Sequence, residues 1–192
     1  MKRMLLHTCC APCSTTTIER LSKDYDITVL YYNPNIYPEE EYIKRKNEQI
    51  RYIEILNNRG GNIKMIDCDY DCQSFEKAIV GLESEPEGGK RCSVCFALRL
   101  DYVGKKAKEL GYDIFTTSLT ISPHKNAKVI NEIGKSIGKK YDIEYLECDL
   151  KKQNGYLRSI QICKENCIYR QRYCGCKYSM WFLNDEKQEK NA

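Results

Sequence analysis

The sequence has no long hydrophobic run. Nowhere does an apolar segment approach the roughly 18 residues that a bilayer-spanning helix requires, so no membrane partner is expected. After Met1-Lys2-Arg3 the apolar stretch before His7 is only Met4-Leu5-Leu6, too short for a signal-peptide core, and a cytoplasmic protein is the expectation. No internal repeat is visible either. With 42% hydrophobic and 30% charged residues in 192, both a disordered chain and a fibrous repeat are excluded in favour of one globular domain. Nor does one sign of charge dominate: 31 Lys and Arg against 27 Asp and Glu leave +4. Such a balance permits an anionic partner without requiring one.

What is abundant is cysteine, 12 in all. In a reducing compartment thiols stay free, so clustered cysteines read as metal ligands or redox catalysts before they read as structural disulfides.

Short β-rich runs alternate with helical stretches. Strands are expected at Met4 to Thr8, Ile27 to Tyr32, Ile63 to Asp67, Ile114 to Ser118 and Ile143 to Cys148. The clearest helix runs from Cys95 to Leu110, where Phe96, Leu100, Val103, Ala107 and Leu110 fall on one face before Gly111. A second opens at Pro38 with Glu39, Glu40 and Glu41, turns Ile43, Ile50, Ile53 and Leu56 inward, and ends at Gly60-Gly61. A third spans Asn126 to Ile137, closed by Gly138. This alternation predicts an α/β, Rossmann-like fold: a parallel sheet with right-handed crossovers, helices on both faces, and a Cys-rich C-terminal segment. Residues 1–183 form the expected single domain and 184–192 a charged flexible tail; Gly81 to Gly89 is the expected mobile loop.

Ligands of open α/β sheets bind outside the carboxyl ends of the strands. Cys9, Cys10 and Cys13 follow strand one, Asn33 to Asn35 strand two, Asp67 to Cys72 strand three, Ser118 to Asn126 strand four and Asp149 strand five. Cys92 and Cys95 precede the long helix that leads into strand four, so free amides at its N-terminus should favour thiolate on the same rim. By spacing alone, Cys10-Ala-Pro-Cys13 is also a thioredoxin-like dithiol. The second pair, Cys92-Ser-Val-Cys95, shifts the balance toward a shared metal centre, because zinc and iron-sulfur sites both use four cysteines. Cys174-Gly-Cys176 is a further metal-ligand or strained-disulfide signal.

Other residues are weaker signals. Cys68, Cys72, Cys148, Cys163 and Cys167 read as small core hydrophobes. His124 and Lys125, at a loop-to-helix junction, read as substrate contacts, whereas His7 inside strand one reads as a core histidine. The pairs Lys139-Lys140 and Lys151-Lys152, with Arg170 and Arg172, are candidate phosphate contacts, although each alone is more often a solvated face.

Leu-Leu-His-Thr-Cys-Cys-Ala-Pro-Cys (5–13), Tyr-Asn-Pro-Asn-Ile-Tyr-Pro (32–38), Arg-Cys-Ser-Val-Cys-Phe (91–96) with Arg99-Leu100, Thr-Thr-Ser-Leu-Thr-Ile-Ser-Pro-His-Lys-Asn (116–126) and Tyr-Arg-Gln-Arg-Tyr-Cys-Gly-Cys (169–176) resemble, across residues 4–180, the QueH family of cobalamin-independent epoxyqueuosine reductases. That resemblance implies a Rossmann-like layer structure of the HUP kind, related to PP-loop enzymes. The PP-loop phosphate cradle is replaced by the turn at Cys9 to Cys13, so ATP use is not implied.

The implied activity is reduction of the epoxide of epoxyqueuosine, carried in the anticodon loop of tRNA, to the cyclopentene of queuosine. The implied cofactor is a 4Fe-4S cluster, held by Cys9, Cys10, Cys92 and Cys95, fed by a low-potential electron donor. Beside it stands either a second mononuclear iron, with zinc its replacement after aerobic handling, or a redox-active pair, Cys174 and Cys176. In the alternative division Cys9 and Cys10 serve separate metals, and Cys13 with one or both of Cys174 and Cys176 completes the second site. Tyr173, His124 and Lys125 are candidate proton donors or substrate anchors, and Tyr32 or Tyr37 a stacking platform for the base. Two further readings stay open: a thioredoxin-like thiol oxidoreductase and a zinc-stabilised RNA-binding module.

Overall fold

The structure is a computed structural model and describes residues 1–180. In chain order it contains β1 (Lys2–His7), α1 (Ala11–Leu21), β2 (Tyr25–Tyr31), α2 (Glu39–Asn58), β3 (Lys64–Asp67), α3 (Cys72–Ala78) and α4 (Lys90–Glu109). These are followed by β4 (Ile114–Thr117), a 3-10 turn (Ser118–Ile121), α5 (Ala127–Tyr141), β5 (Glu144–Tyr145) and α6 (Gly155–Glu165). The expected tail, 184–192, and the expected domain end at 183 lie outside the described residues.

Met4-Leu5-Leu6 is uninterrupted because β1 is covered on both faces. The strand pleat sends Leu5, Leu30 and Phe115 to one side, against Phe96, Leu100 and Val103 of α4 and Ile130 of α5. Leu6, Ile27 and Val29 go to the other, against Ile18 of α1, Tyr52 and Ile53 of α2 and Ile162 of α6. All strand pairs are parallel in the order β3-β2-β1-β4-β5, with Leu6 beside Val29 on one neighbour and Thr116 on the other. The direction of winding therefore reverses at β1, and the crevice where an α/β sheet accepts ligands opens beyond His7.

Several expected details are corrected. Helix α2 starts after Pro38 with its three glutamates, but its buried stripe is Tyr42, Arg45, Gln49, Tyr52 and Ile53. Ile43 and Ile50 lie on the flank, 44% and 37% exposed, because the ring of Tyr42 packs instead on Tyr31 and Tyr70. Helix α4 begins at Lys90, not Cys95, so Cys92 and Cys95 sit inside its first two turns. Helix α5 continues past Gly138 and stops at Asp142, whose φ of 51° is left-handed. Strand β5 is only two residues long, since side chains take over its edge bonding: Thr116 Oγ1 donates to the Leu146 carbonyl at 2.9 Å. Helices α3 and α6 had no expected counterpart. The segment Gly81 to Gly89 also wraps a buried cation that was not expected: Arg91 donates to the carbonyls of Glu83, at 2.8 Å, and of Leu82 and Glu85.

Candidate metal centre

Beyond His7 the chain turns sharply into α1. Cys10 is the N-cap residue, with extended backbone at φ −175°, and its side chain caps nothing, so the sulfur is free to face the crevice. Pro12 sits in the first turn, where its missing N–H costs no hydrogen bond. The sulfurs of Cys9, Cys10 and Cys13 all lie within 4.8 Å of one another, with Cys9 and Cys10 3.7 Å apart. Among the described residues this is the one set of three or more Cys, His, Asp or Glu ligand atoms so close together. It has the dimensions of ligands to a single ion: tetrahedral metal–sulfur bonds of about 2.3 Å place sulfurs about 3.8 Å apart.

The helical start at Lys90 turns both cysteines of α4 toward the rim. Cys92 accepts a hydrogen bond from the Gly88 amide at 3.2 Å, and Cys95 is buried. The late segment is held by Arg45, whose Nη1 and Nη2 donate to the carbonyls of Cys174 and Tyr173 at 3.0 and 3.2 Å. Gly175 between the two cysteines has φ +119°, and a Cβ there would meet Arg45 Nη1 and Ile36 Cγ1 at 3.0 Å each. The position therefore requires glycine. Cys174 and Cys176 are unbridged.

Two adjoining cavities result. Cys92, Cys95, Cys174 and Cys176, with Arg99, line one of about 130 Å³. Cys9, Cys13 and Cys174, with Arg170 and Arg172, line one of about 480 Å³. Cys174, His124 and Lys125 belong to both, so the chambers share a wall; Cys9 lines the larger, Cys92 and Cys95 the smaller, and Cys10 neither.

The electrostatics of that wall were not legible in the sequence. Arg99 is 1% exposed; its Nε donates to the Cys95 carbonyl at 3.2 Å, while Nη2 has no partner. Burial opposes its charge, and Cys95, Cys174, Cys9 and Cys92 together outweigh that opposition and raise its pKa. Lys125 is held the same way: burial lowers its pKa, but Cys174, Cys9 and Cys13 raise it further than burial lowers it. The response of the thiols is uneven. Hydrogen bonds from Cys10 and Cys13 hold Cys9 well below the usual thiol range, with Lys125 and Arg99 adding to the effect. Hydrogen bonds to Cys10 and Cys9 push Cys13 up, and burial pushes Cys95 up to about 12. A buried guanidinium without a carboxylate is costly unless it meets negative charge. A cysteine-ligated cluster is anionic, so the donor set and the orphaned Nη2 fit such a group. The signal was the four-residue gap from Cys95 to Arg99, one helical turn on a single face.

The remaining expected residues divide. His7 is the core histidine expected: its ring bonds Thr117 Oγ1 at 2.9 Å and the Tyr32 carbonyl at 3.1 Å, and burial with Arg99 nearby pulls its pKa down to about 4. Tyr32 is not a base platform, being 5% exposed and stacked on Tyr102 with centroids 3.8 Å apart. Tyr37 stays 51% exposed. The Tyr173 hydroxyl donates to the Tyr37 carbonyl at 2.6 Å, and burial raises its pKa to about 12, both unfavourable to proton donation. Lys140 pairs with Asp101 at 2.7 Å and Lys139 lines a separate shallow pocket, so neither faces the centre. Lys151, paired with Asp149 at 3.5 Å, donates to the Lys125 carbonyl and so lies behind the wall. Cys68, Cys72, Cys148, Cys163 and Cys167 line neither chamber.

A family model described as "Epoxyqueuosine reductase QueH" matches residues 4–181. The curated epoxyqueuosine reductase QueH of Streptococcus pyogenes serotype M1 is 48% identical over 177 residues, 92% of this chain and 69% of that protein. The one from Thermotoga maritima is 34% identical over 197 residues, 100% of this chain and 95% of that protein. Two solved structures share the fold at TM-score 0.52. One is a predicted subunit of tRNA methyltransferase from Methanocaldococcus jannaschii, 17% identical over 82% of this chain and 73% of that one. The other is the U34-tRNA thiolase NcsA of Methanococcus maripaludis with its [4Fe-4S] cluster, 11% identical over 93% of this chain and 61% of that one. They bear out the Rossmann-like architecture.

Proposed function

The chain belongs to the epoxyqueuosine reductase QueH family, and on that footing we propose that it reduces the epoxide of epoxyqueuosine in tRNA to the alkene of queuosine. Two electrons and two protons enter, both carbon–oxygen bonds of the epoxide break, and the oxygen leaves as water. The substrate is tRNA carrying the modified base in its anticodon loop, where an unstacked base is cheap to extrude into a pocket. The cavity of about 480 Å³ is of a size to receive it, and Arg170 and Arg172 supply charge for the backbone.

Cys9, Cys10, Cys92 and Cys95 hold a 4Fe-4S cluster in this reading. When bound, such a cluster supplies electrons singly at low potential. Cys174 and Cys176 are the redox pair: closing their disulfide releases two electrons and two protons, the number the epoxide consumes. Where a second metal serves in place of that pair, Cys13 is a ligand to a mononuclear iron, the position zinc takes after aerobic handling. Lys125 and His124 stand where both chambers meet, placed to bind the substrate. The electron donor is a low-potential reductant. The observation that carries the reading is Arg99, buried without a carboxylate and influenced by sulfurs from three distant stretches, Cys9, Cys92 with Cys95, and Cys174.

The compactness of Cys9, Cys10 and Cys13 favours one second division, in which those three hold a single ion and Cys92, Cys95, Cys174 and Cys176 hold the cluster. Cys174→Ser with Cys176→Ser separates the two: cluster absorbance survives in the first division and disappears in the second.

The activity is tested by incubating anaerobically purified protein with epoxyqueuosine-containing tRNA and a low-potential reductant, then analysing the nucleosides by mass spectrometry. Loss of one oxygen from the modified nucleoside is expected. Intact epoxide, with full iron and sulfide loading and tRNA bound, contradicts the proposal.

A further inference from the structure

We propose that Gln171 is a positioning residue that donates an N–H···S hydrogen bond to Cys10 and raises the reduction potential of the cluster Cys10 holds. The inference rests on the assignment of Cys10 as a cluster ligand. Gln171 lies between Arg170 and Arg172 in the late segment, 161 positions from Cys10 in sequence, yet its Nε2 stands 3.0 Å from the Cys10 sulfur. Its Oε1 is buried and bonded to nothing, so the side chain is not ordered by a second amide partner. The sulfur is thus the hydrogen-bond partner of the Gln171 side chain. Cys10 caps no backbone amide of α1, and its other sulfur neighbours are the thiols of Cys9 and Cys13.

A donor aimed at a ligating thiolate stabilises whichever state carries more negative charge on the sulfurs. Adding an electron increases that charge, so the reduced state gains more than the oxidised one and the potential rises. Arg99 acts on Cys9, Cys92 and Cys95 from α4, but as a full charge. Gln171 contributes a neutral dipole from the segment that also carries Arg170, Arg172 and the Cys174–Cys176 pair. Seating of that segment on the early cysteines is thereby coupled to the ease with which the centre accepts an electron.

The test is a redox titration of anaerobically reconstituted full-length protein, wild type against Gln171→Met, followed by electron paramagnetic resonance of the reduced cluster. Methionine keeps the length of the side chain and removes the donor. The variant is expected to retain its cluster with a lower midpoint. At a fixed poise its reduced-to-oxidised ratio should fall about tenfold, equivalent to 59 mV for a one-electron couple. A full cluster with an unmoved midpoint overturns the inference and leaves the function intact. Should Gln171→Met fail to load, wild-type protein labelled with side-chain 15N-glutamine gives the answer. A nitrogen coupling to the reduced cluster is expected, and its absence overturns the inference. Wild-type protein that never takes up iron and sulfide overturns both this inference and the cluster assignment.

Discussion

Arg99 donates from Nε to the carbonyl oxygen of Cys95, one helical turn earlier, at 3.2 Å. That bond fixes a buried guanidinium beside the sulfurs of two other chain segments and leaves Nη2 unpartnered. Replacing Arg99 with Met keeps much of the volume and removes the charge, so anionic iron-sulfur binding should weaken. Iron retention after gel filtration is expected to fall at least about tenfold, the effect of about 1.4 kcal/mol, while Arg99→Lys retains more. Undiminished iron in Arg99→Met contradicts this role.

Gly175→Ala tests the geometry of the late pair. With φ at +119° and a new Cβ 3.0 Å from Arg45 Nη1 and Ile36 Cγ1, alanine should cost about 1–3 kcal/mol. Urea unfolding should report that loss, and epoxide reduction should drop further than cluster absorbance because Cys174 and Cys176 shift together. Unchanged stability and activity would show that the segment tolerates another backbone conformation.

Glu48 ties the same segment to α2: its Oε1 accepts from the Tyr169 amide at 2.8 Å and from Arg51 at 2.6 Å. The Arg51 hydrogen bond is the main cause that lowers the Glu48 pKa, with the Tyr169 amide adding to it. A lowered folded-state pKa contributes stability above the unfolded value, about 4.3, that is lost as pH falls through the folded value. Glu48→Gln should therefore lower the thermal midpoint at pH 7 and converge on wild type toward pH 3. A constant difference across that range contradicts the ion-pair account.

Affinity for tRNA should fall with salt, and Arg170→Gln or Arg172→Gln should each reduce the slope of log K against log salt by about 0.7 to 1. Filter binding from low to moderate salt measures it. A slope identical to wild type in both variants removes these arginines from the phosphate contacts.

The fold was largely legible because β1, β2 and β4 are buried on both faces and so read as short runs of apolar and β-branched residues, as at Met4 to Leu6, Ile27 to Leu30 and Ile114 to Thr117. The cysteine motifs were legible because ligand chemistry restricts residue type and spacing. Buried arginines were not: Arg45, Arg91 and Arg99 read as solvated charge, yet each is buried by partners remote in sequence or by the turns of its own helix. The same cause misplaced the inner face of α2, where Arg45 and Gln49 are inward and Ile43 outward. Gly88-Gly89 was the missed start signal for α4; placing it there puts Cys92 and Cys95 on a helix rather than ahead of one. Tyr32 was misjudged because a tyrosine at a strand end can stack inward, as it does on Tyr102.

The central claim is that cysteines from the first turn and from α4 hold one iron-sulfur cluster. It is tested most directly by iron and sulfide analysis with visible absorption of anaerobically reconstituted wild type, Cys9→Ser and Cys92→Ser. The account predicts about four sulfides per chain in the wild type, with about four irons, or about five where the second iron site is filled, broad visible absorption, and bleaching in both variants. Wild-type protein that stays colourless after reconstitution, or a Cys92→Ser spectrum indistinguishable from wild type, would contradict it.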